Sequence, residues 1–283
     1  MKNKRYPTAF VFGASLAAAL SGAALRTLAY FLIYDAEVGY FRTGFFSTLL
    51  YIYPIAAALA LAALLTLRIP KNCAPGDFVI APGSARAAAG IEIAAAAALL
   101  ALTIFDIATA LRVGENMSYV CAATTLIGCL YLAPRMKQPA LRALGGMALV
   151  VRALQTVCIE YFDWSTTLNN PVKSFRQFTL LCGALFIIEH IRFKRSAYNT
   201  RKLLILSAAT AILGITDGAS GIISTAAAVH AVEAFSPFFL SLVLGLCALG
   251  AITQFRAAEH TPPETPAQQE QEPQQAPIQE PQD

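Results

Sequence analysis

The sequence predicts an all-α, polytopic membrane helix bundle of about eight transmembrane helices with both termini in the cytoplasm. Three observations predict it. First, the 283 residues are 57% hydrophobic and only 13% charged, whereas soluble domains carry roughly 25% charged residues. Second, the apolar residues gather into eight stretches near the ~20 residues that cross a hydrocarbon core. Third, lysine and arginine are divided unevenly between the connections of those stretches, as the positive-inside rule requires.

The stretches follow in order. Thr8 to Tyr34 comes after the basic segment MKNKRY and holds the small residues AAALSGAAL, ingredients of a secretory signal. Its apolar run continues past the ~7–15 residues of a signal core and contains Arg26, so it reads as a retained helix. Gly44 to Leu67 and Ala87 to Leu111 are long enough to span, and Met117 to Ala133 is among the shortest. Leu141 to Phe162 is the fifth. Pro171 opens the sixth, Val172 to Ile191, by supplying a fixed φ where a helix needs no amide donor. Leu203 to Ala228 carries Gly214, Gly218 and Gly221, small-xxx-small spacing that admits a close neighbour or permits local unwinding beside a cavity. Phe238 to Phe255, also short, is the last. The remaining segment from Ala257 to Asp283 is rich in Pro, Gln and Glu. It has too little to bury to offset its ordering entropy and is expected to be a disordered cytoplasmic tail open to a protein partner. The domain division is therefore 1–7, a cytoplasmic N-terminus, 8–256, the membrane domain, and 257–283, the tail.

With eight spans and an inner N-terminus, four of the 21 lysines and arginines (Arg42, Arg112, Lys173, Arg176) fall outside and two (Arg26, Arg152) fall within spans. The other 15 lie inside. The net charge of +4 and pI near 8.7 thus reflect loop retention. No aromatic stacking platform accompanies the cations, which rejects nucleic acid as a partner and leaves the lipid bilayer.

The informative residues are the charges inside spans: Arg26, Glu92, Asp106, Arg152 and Asp217. Each costs about 2.5–3.5 kcal/mol at a helix centre unless paired or wetted. Glu92 sits near the inner end of its helix and can snorkel. At ~1.5 Å per residue, Asp106 lies roughly 8 Å, Arg26 roughly 12 Å, and Arg152 and Asp217 roughly 15 Å below the outer face. These four are expected to share one polar site, with Asp217 compensated by Arg152 or Arg26. Above them, the connections after the first and fifth helices supply Asp35, Glu37, Arg42, Glu160, Asp163, Asn169, Lys173 and Arg176 as an outer mouth. The order Arg26, Asp35, Arg42, Asp106 is echoed by Arg152, Asp163, Lys173 with Arg176, and Asp217. Either the halves form a parallel 4+4 repeat with a polar site at their interface, or the match is chance.

The turn DAEVG (Asp35 to Gly39), the loop leading to NNPVK (Asn169 to Lys173) and EHIR (Glu189 to Arg192) together resemble uncharacterised multi-pass membrane proteins of bacteria. The resemblance implies a bacterial cytoplasmic membrane and no assigned activity.

The six cysteines (Cys73, Cys121, Cys129, Cys158, Cys182, Cys247) form no CxxC and no zinc spacing with His190, His230 or His260, so neither metal nor cofactor is expected. Cys121 and Cys158 both fall toward the outer face, where a disulfide is conceivable. No GxSxG, HExxH or Walker A motif is present. Tyr34–Asp35 with Gly214–Asp217 loosely matches an intramembrane aspartyl protease, but Asp35 is placed at the surface and Thr216 stands where that motif has glycine. The buried charges, glycine-rich helix and polar mouth fit transport or sensing of a small polar solute or ion. The competing reading is an accessory protein whose Arg/Asp pairs fix helix packing.

Overall fold

The computed structural model describes residues 6–35, 40–42, 44–70, 78–79, 84–133, 138–162, 171–194, 199–227 and 235–253. Eight helices are present among them: α1 Thr8–Leu32, α2 Phe45–Arg68, α3 Ser84–Val113, α4 Asn116–Leu132, α5 Pro139–Phe162, α6 Pro171–Lys194, α7 Thr200–Ala226 and α8 Phe235–Thr253. Each coincides with one of the eight apolar stretches to within a few residues, and α6 begins at Pro171. Two short sheets pin the ends. β1 (Tyr6–Pro7) pairs in parallel with β4 (Phe78–Val79). β2 (Tyr34–Asp35) pairs antiparallel with β3 (Tyr40–Phe41), closing the connection between α1 and α2.

Six helices, α1, α2, α3, α5, α7 and α8, are long and apolar enough to cross a membrane. The other two fall short for different reasons. α4 has 17 residues and rises only ~25 Å. α6 has 24 residues but carries Lys173, Arg176, Glu189, Arg192 and Lys194 near its two ends.

The helices differ in how deeply they sit. The apolar core of α7 is 78% buried and that of α8 72%, against 28–33% for α1, α2 and α3. α7 and α8 form a central hairpin, with α1, α2 and α6 against α7 and α3 against α8. The glycines explain the closeness. A Cβ on Gly214 would stand 2.6 Å from the Ser241 carbonyl oxygen, and one on Gly218 2.5 Å from the Leu242 amide nitrogen. Both obstacles are backbone and cannot yield. α7 runs through this region as an unbroken helix, so its glycines serve packing. Outward faces of the peripheral helices expose Leu20, Phe31, Ile52, Leu59, Ile93, Leu100, Ile104 and Leu126. An apolar belt of this extent fits a bundle set in lipid.

Candidate functional site

Arg26, Asp106, Arg152 and Asp217 are all compensated, but in two networks instead of one. The first is dry. α1 carries Arg26 and α7 carries Asp217, with side chains 1% and 0% exposed, and Arg26 Nη2 lies 3.1 Å from Asp217 Oδ1. Ser241 on α8 donates to Asp217 Oδ2 at 2.9 Å, and Arg26 Nη2 donates to Tyr30, one turn on, at 3.4 Å. A second cation enters from α6, where Arg176 Nε stands 3.4 Å from Asp217 Oδ2. Arg176 Nη1 also donates to Glu160 Oε1 on α5 at 2.8 Å. The guanidinium groups rest on aromatic faces, Arg26 at 4.2 Å from the Phe175 centroid and Arg176 at 3.9 Å from that of Phe238. Each arginine thus meets a carboxylate, as charge held inside a bundle requires.

The second network joins α3 to α5. Arg152 Nε donates to Asp106 Oδ2 at 3.0 Å and Arg152 Nη2 to Oδ1 at 3.1 Å, a bidentate pair. Thr125 on α4 donates to Oδ2 and Ser236 on α8 to Oδ1, each at 2.6 Å. Arg152 Nη1 reaches Thr156, one turn on. Every oxygen of Asp106 thus accepts two hydrogen bonds. This pair faces space: a cavity of about 380 Å³, lined among others by Asp106, Arg152, Thr156, Ser236, Glu115 and Glu160. It lies where α3 meets α4, α5 ends and α8 begins. Glu160 lines it while bonding Arg176, so the two networks touch there.

The two pairs are built alike. In each, an arginine bonds a hydroxyl four residues on (Tyr30, Thr156), meets an aspartate two helices before it in cyclic order, and that aspartate receives a hydroxyl from the next helix (Ser241, Thr125). Shifting every helix by four exchanges them.

Several expectations change. Asp217 is compensated by Arg26 and Arg176 and not by Arg152, whose partner is Asp106. Glu160 and Arg176, expected at the mouth, are part-buried members of the first network, with side chains 15% and 11% exposed. Lys173 is also buried. Asp35 and Arg42 do lie toward the surface, 3.8 Å apart on the β2–β3 hairpin, whereas Asp217 is fully buried. Glu37, Asp163 and Asn169 lie outside the described residues, as do the N-terminal five residues and the tail. Cys121 and Cys158 are both free thiols. Glu92 is exposed. Burial and the neighbouring Tyr30 push the Tyr34 hydroxyl on the hairpin up to about 12, so it stays a neutral phenol.

Sequence reasoning missed Thr125, Thr156, Ser236 and Ser241, since single hydroxyls in helices are common and only the hydroxyl four residues after each arginine leaves a local signal. It also missed the opposite end of the bundle, where buried Glu189 holds Lys202 and Arg192, and Tyr131 bonds His190, which stacks on Phe186. Among the described residues no three of His, Cys, Asp and Glu gather into a group able to hold a metal. Comparison with protein families, with curated proteins and with solved structures found no match to this chain.

Proposed function

We propose that the chain is a protein of the bacterial cytoplasmic membrane, crossing it eight times with both termini inside, that binds a small polar solute from the outer side, as a transporter or a sensor. The observation that carries this reading is the 380 Å³ cavity walled by the Asp106–Arg152 pair, a size and polarity suited to a small ligand. The bundle end on which it lies is the one away from the lysine- and arginine-rich connections, which supports outward access. The Arg26–Asp217 pair, with side chains 1% and 0% exposed, supports the structural role for that pair alone.

A parallel 4+4 repeat is part of this reading. Helix lengths support it: α1 and α5 have 25 and 24 residues, α2 and α6 24 and 24, α3 and α7 30 and 27, α4 and α8 17 and 19. The two ion pairs support it further, because each joins the first helix of one half to the third helix of the other. A substrate site beside one such pair lies at the interface of the halves, where repeat transporters bind.

The test uses protein reconstituted in vesicles and a panel of polar solutes. Ser118→Trp fills the cavity without removing any partner of Asp106 or Arg152, and it is expected to abolish binding or flux. Binding or flux that survives both Ser118→Trp and Arg152→Gln at unchanged expression overturns the proposal.

A further inference from the structure

We infer that the cavity takes a small amine, held through its ammonium group by the Glu160 carboxylate; this rests on the solute-binding reading above. The argument begins with what the wall can still bond. Its ionisable side chains of acid or base type among the described residues are Asp106, Glu115, Glu160 and Arg152, three acids to one base. Arg152 is already committed, with Nε, Nη1 and Nη2 donating to Asp106, Thr125, Thr156 and Ser236. An entering anion therefore meets three carboxylates and a cation whose charge is matched bidentately. Asp106 is equally committed, accepting two bonds at each oxygen. What remains is Glu115, exposed at the rim, and Glu160, set deeper.

Glu160 is the member with acceptor capacity to spare. Its Oε1 takes the bond from Arg176, while Oε2 is buried and accepts none. Leaving a carboxylate oxygen in this state costs free energy that an N–H donor would recover. Rotation about the last torsion of glutamate is soft, so the group can keep one oxygen on Arg176 and turn the other to the cavity. Arg176 does not saturate it, because that guanidinium is divided between Glu160 and Asp217. Lys173 on α6 also faces Glu160, but it does not line the cavity.

The rest of the wall narrows the class. Met117, Ile159 and Pro237 offer an apolar strip for a hydrocarbon body. Aromatic faces, which would hold a quaternary ammonium, are absent from the lining among the described residues. Among the described residues the lining offers no cation besides the committed Arg152, so an amino acid would leave its carboxylate unmet there. A primary amine without an acid group satisfies each surface.

The experiment measures thermal stability of the full chain in nanodiscs, together with protection of Cys121, which lines the cavity, from a maleimide in a variant where it is the sole cysteine. Four probes are compared: propylamine, tetramethylammonium, glycerol and propionate. Propylamine is expected to stabilise the protein and protect Cys121 at concentrations at least about tenfold below the others, the discrimination a charge-assisted hydrogen bond supplies. Glu160→Gln should remove that preference and Glu160→Asp should retain it. If glycerol or propionate protects Cys121 and propylamine does not, the amine assignment fails while a solute cavity stands. If no probe acts on the wild-type protein, both fail. An amine preference unchanged in Glu160→Gln also overturns the assignment, and the wild-type panel decides the matter even if that variant does not fold.

Discussion

Substituting Asp217→Asn tests the network around Arg26 and Arg176 most directly. The residue is fully buried and stands between two guanidiniums, 3.1 Å from Arg26 and 3.4 Å from Arg176. Asparagine preserves shape and can still accept from Ser241, so the change isolates charge. It leaves two arginines facing each other with Glu160 as the remaining acid. Breaking one member of a buried ion pair costs about 3–5 kcal/mol, which lowers a melting temperature by on the order of 10 °C for a domain of this size. Removing Arg26 as well, as Arg26→Gln with Asp217→Asn, leaves Arg176 and Glu160 to neutralise each other. The double variant should therefore recover about 1–3 kcal/mol relative to the sum of the singles. A charge swap, Arg26→Asp with Asp217→Arg, should not recover, because the new arginine would face Arg176. The assay is thermal or denaturant unfolding of purified protein in detergent or nanodiscs. An Asp217→Asn variant within about 0.5 kcal/mol of wild type, or strict additivity in the double, would refute the network as drawn.

Gly214→Ala places a Cβ 2.6 Å from the Ser241 carbonyl oxygen and should destabilise by about 1–3 kcal/mol. Gly13→Ala, with nothing within 4 Å, should be neutral or stabilising by up to ~1 kcal/mol; unfolding midpoints of the two variants check both. Arg192→Gln removes a partly exposed partner of Glu189, 56% exposed, and should cost under about 1 kcal/mol by the same measurement. The Tyr34 proton is held more tightly in the folded chain than at its ordinary value of 10.0. Its contribution to stability is full below pH 10 and lost as pH rises toward about 12. The absorbance difference between wild type and Tyr34→Phe should show phenolate only in that upper range.

Much of this fold is legible along the chain because hydropathy is a local property. Twenty apolar residues must become helix in lipid whatever surrounds them, since every backbone amide needs an internal partner. The eight helices accordingly begin and end close to where composition changes, and Pro171 marks the start of α6. The need for partners was legible for the same reason: Arg26, Asp106, Arg152 and Asp217 cannot remain in hydrocarbon alone.

Which residue meets which is another matter. Pairing depends on the order and rotation of helices, set by contacts between residues far apart in sequence. The Gly214–Gly245 approach draws α7 against α8, and Arg26 closes on Asp217 191 positions away along the chain. Glu160 and Arg176 show the limit most plainly. By sequence they stand at helix ends, where water is expected, yet the packing of α5 against α6 and of α6 against α7 carries both inward. The sequence by itself determined that these charges had to be compensated. Only the tertiary structure decided that one pair would be sealed and the other left facing a cavity, because an unfilled volume is a property of how surfaces fit and not of any one of them.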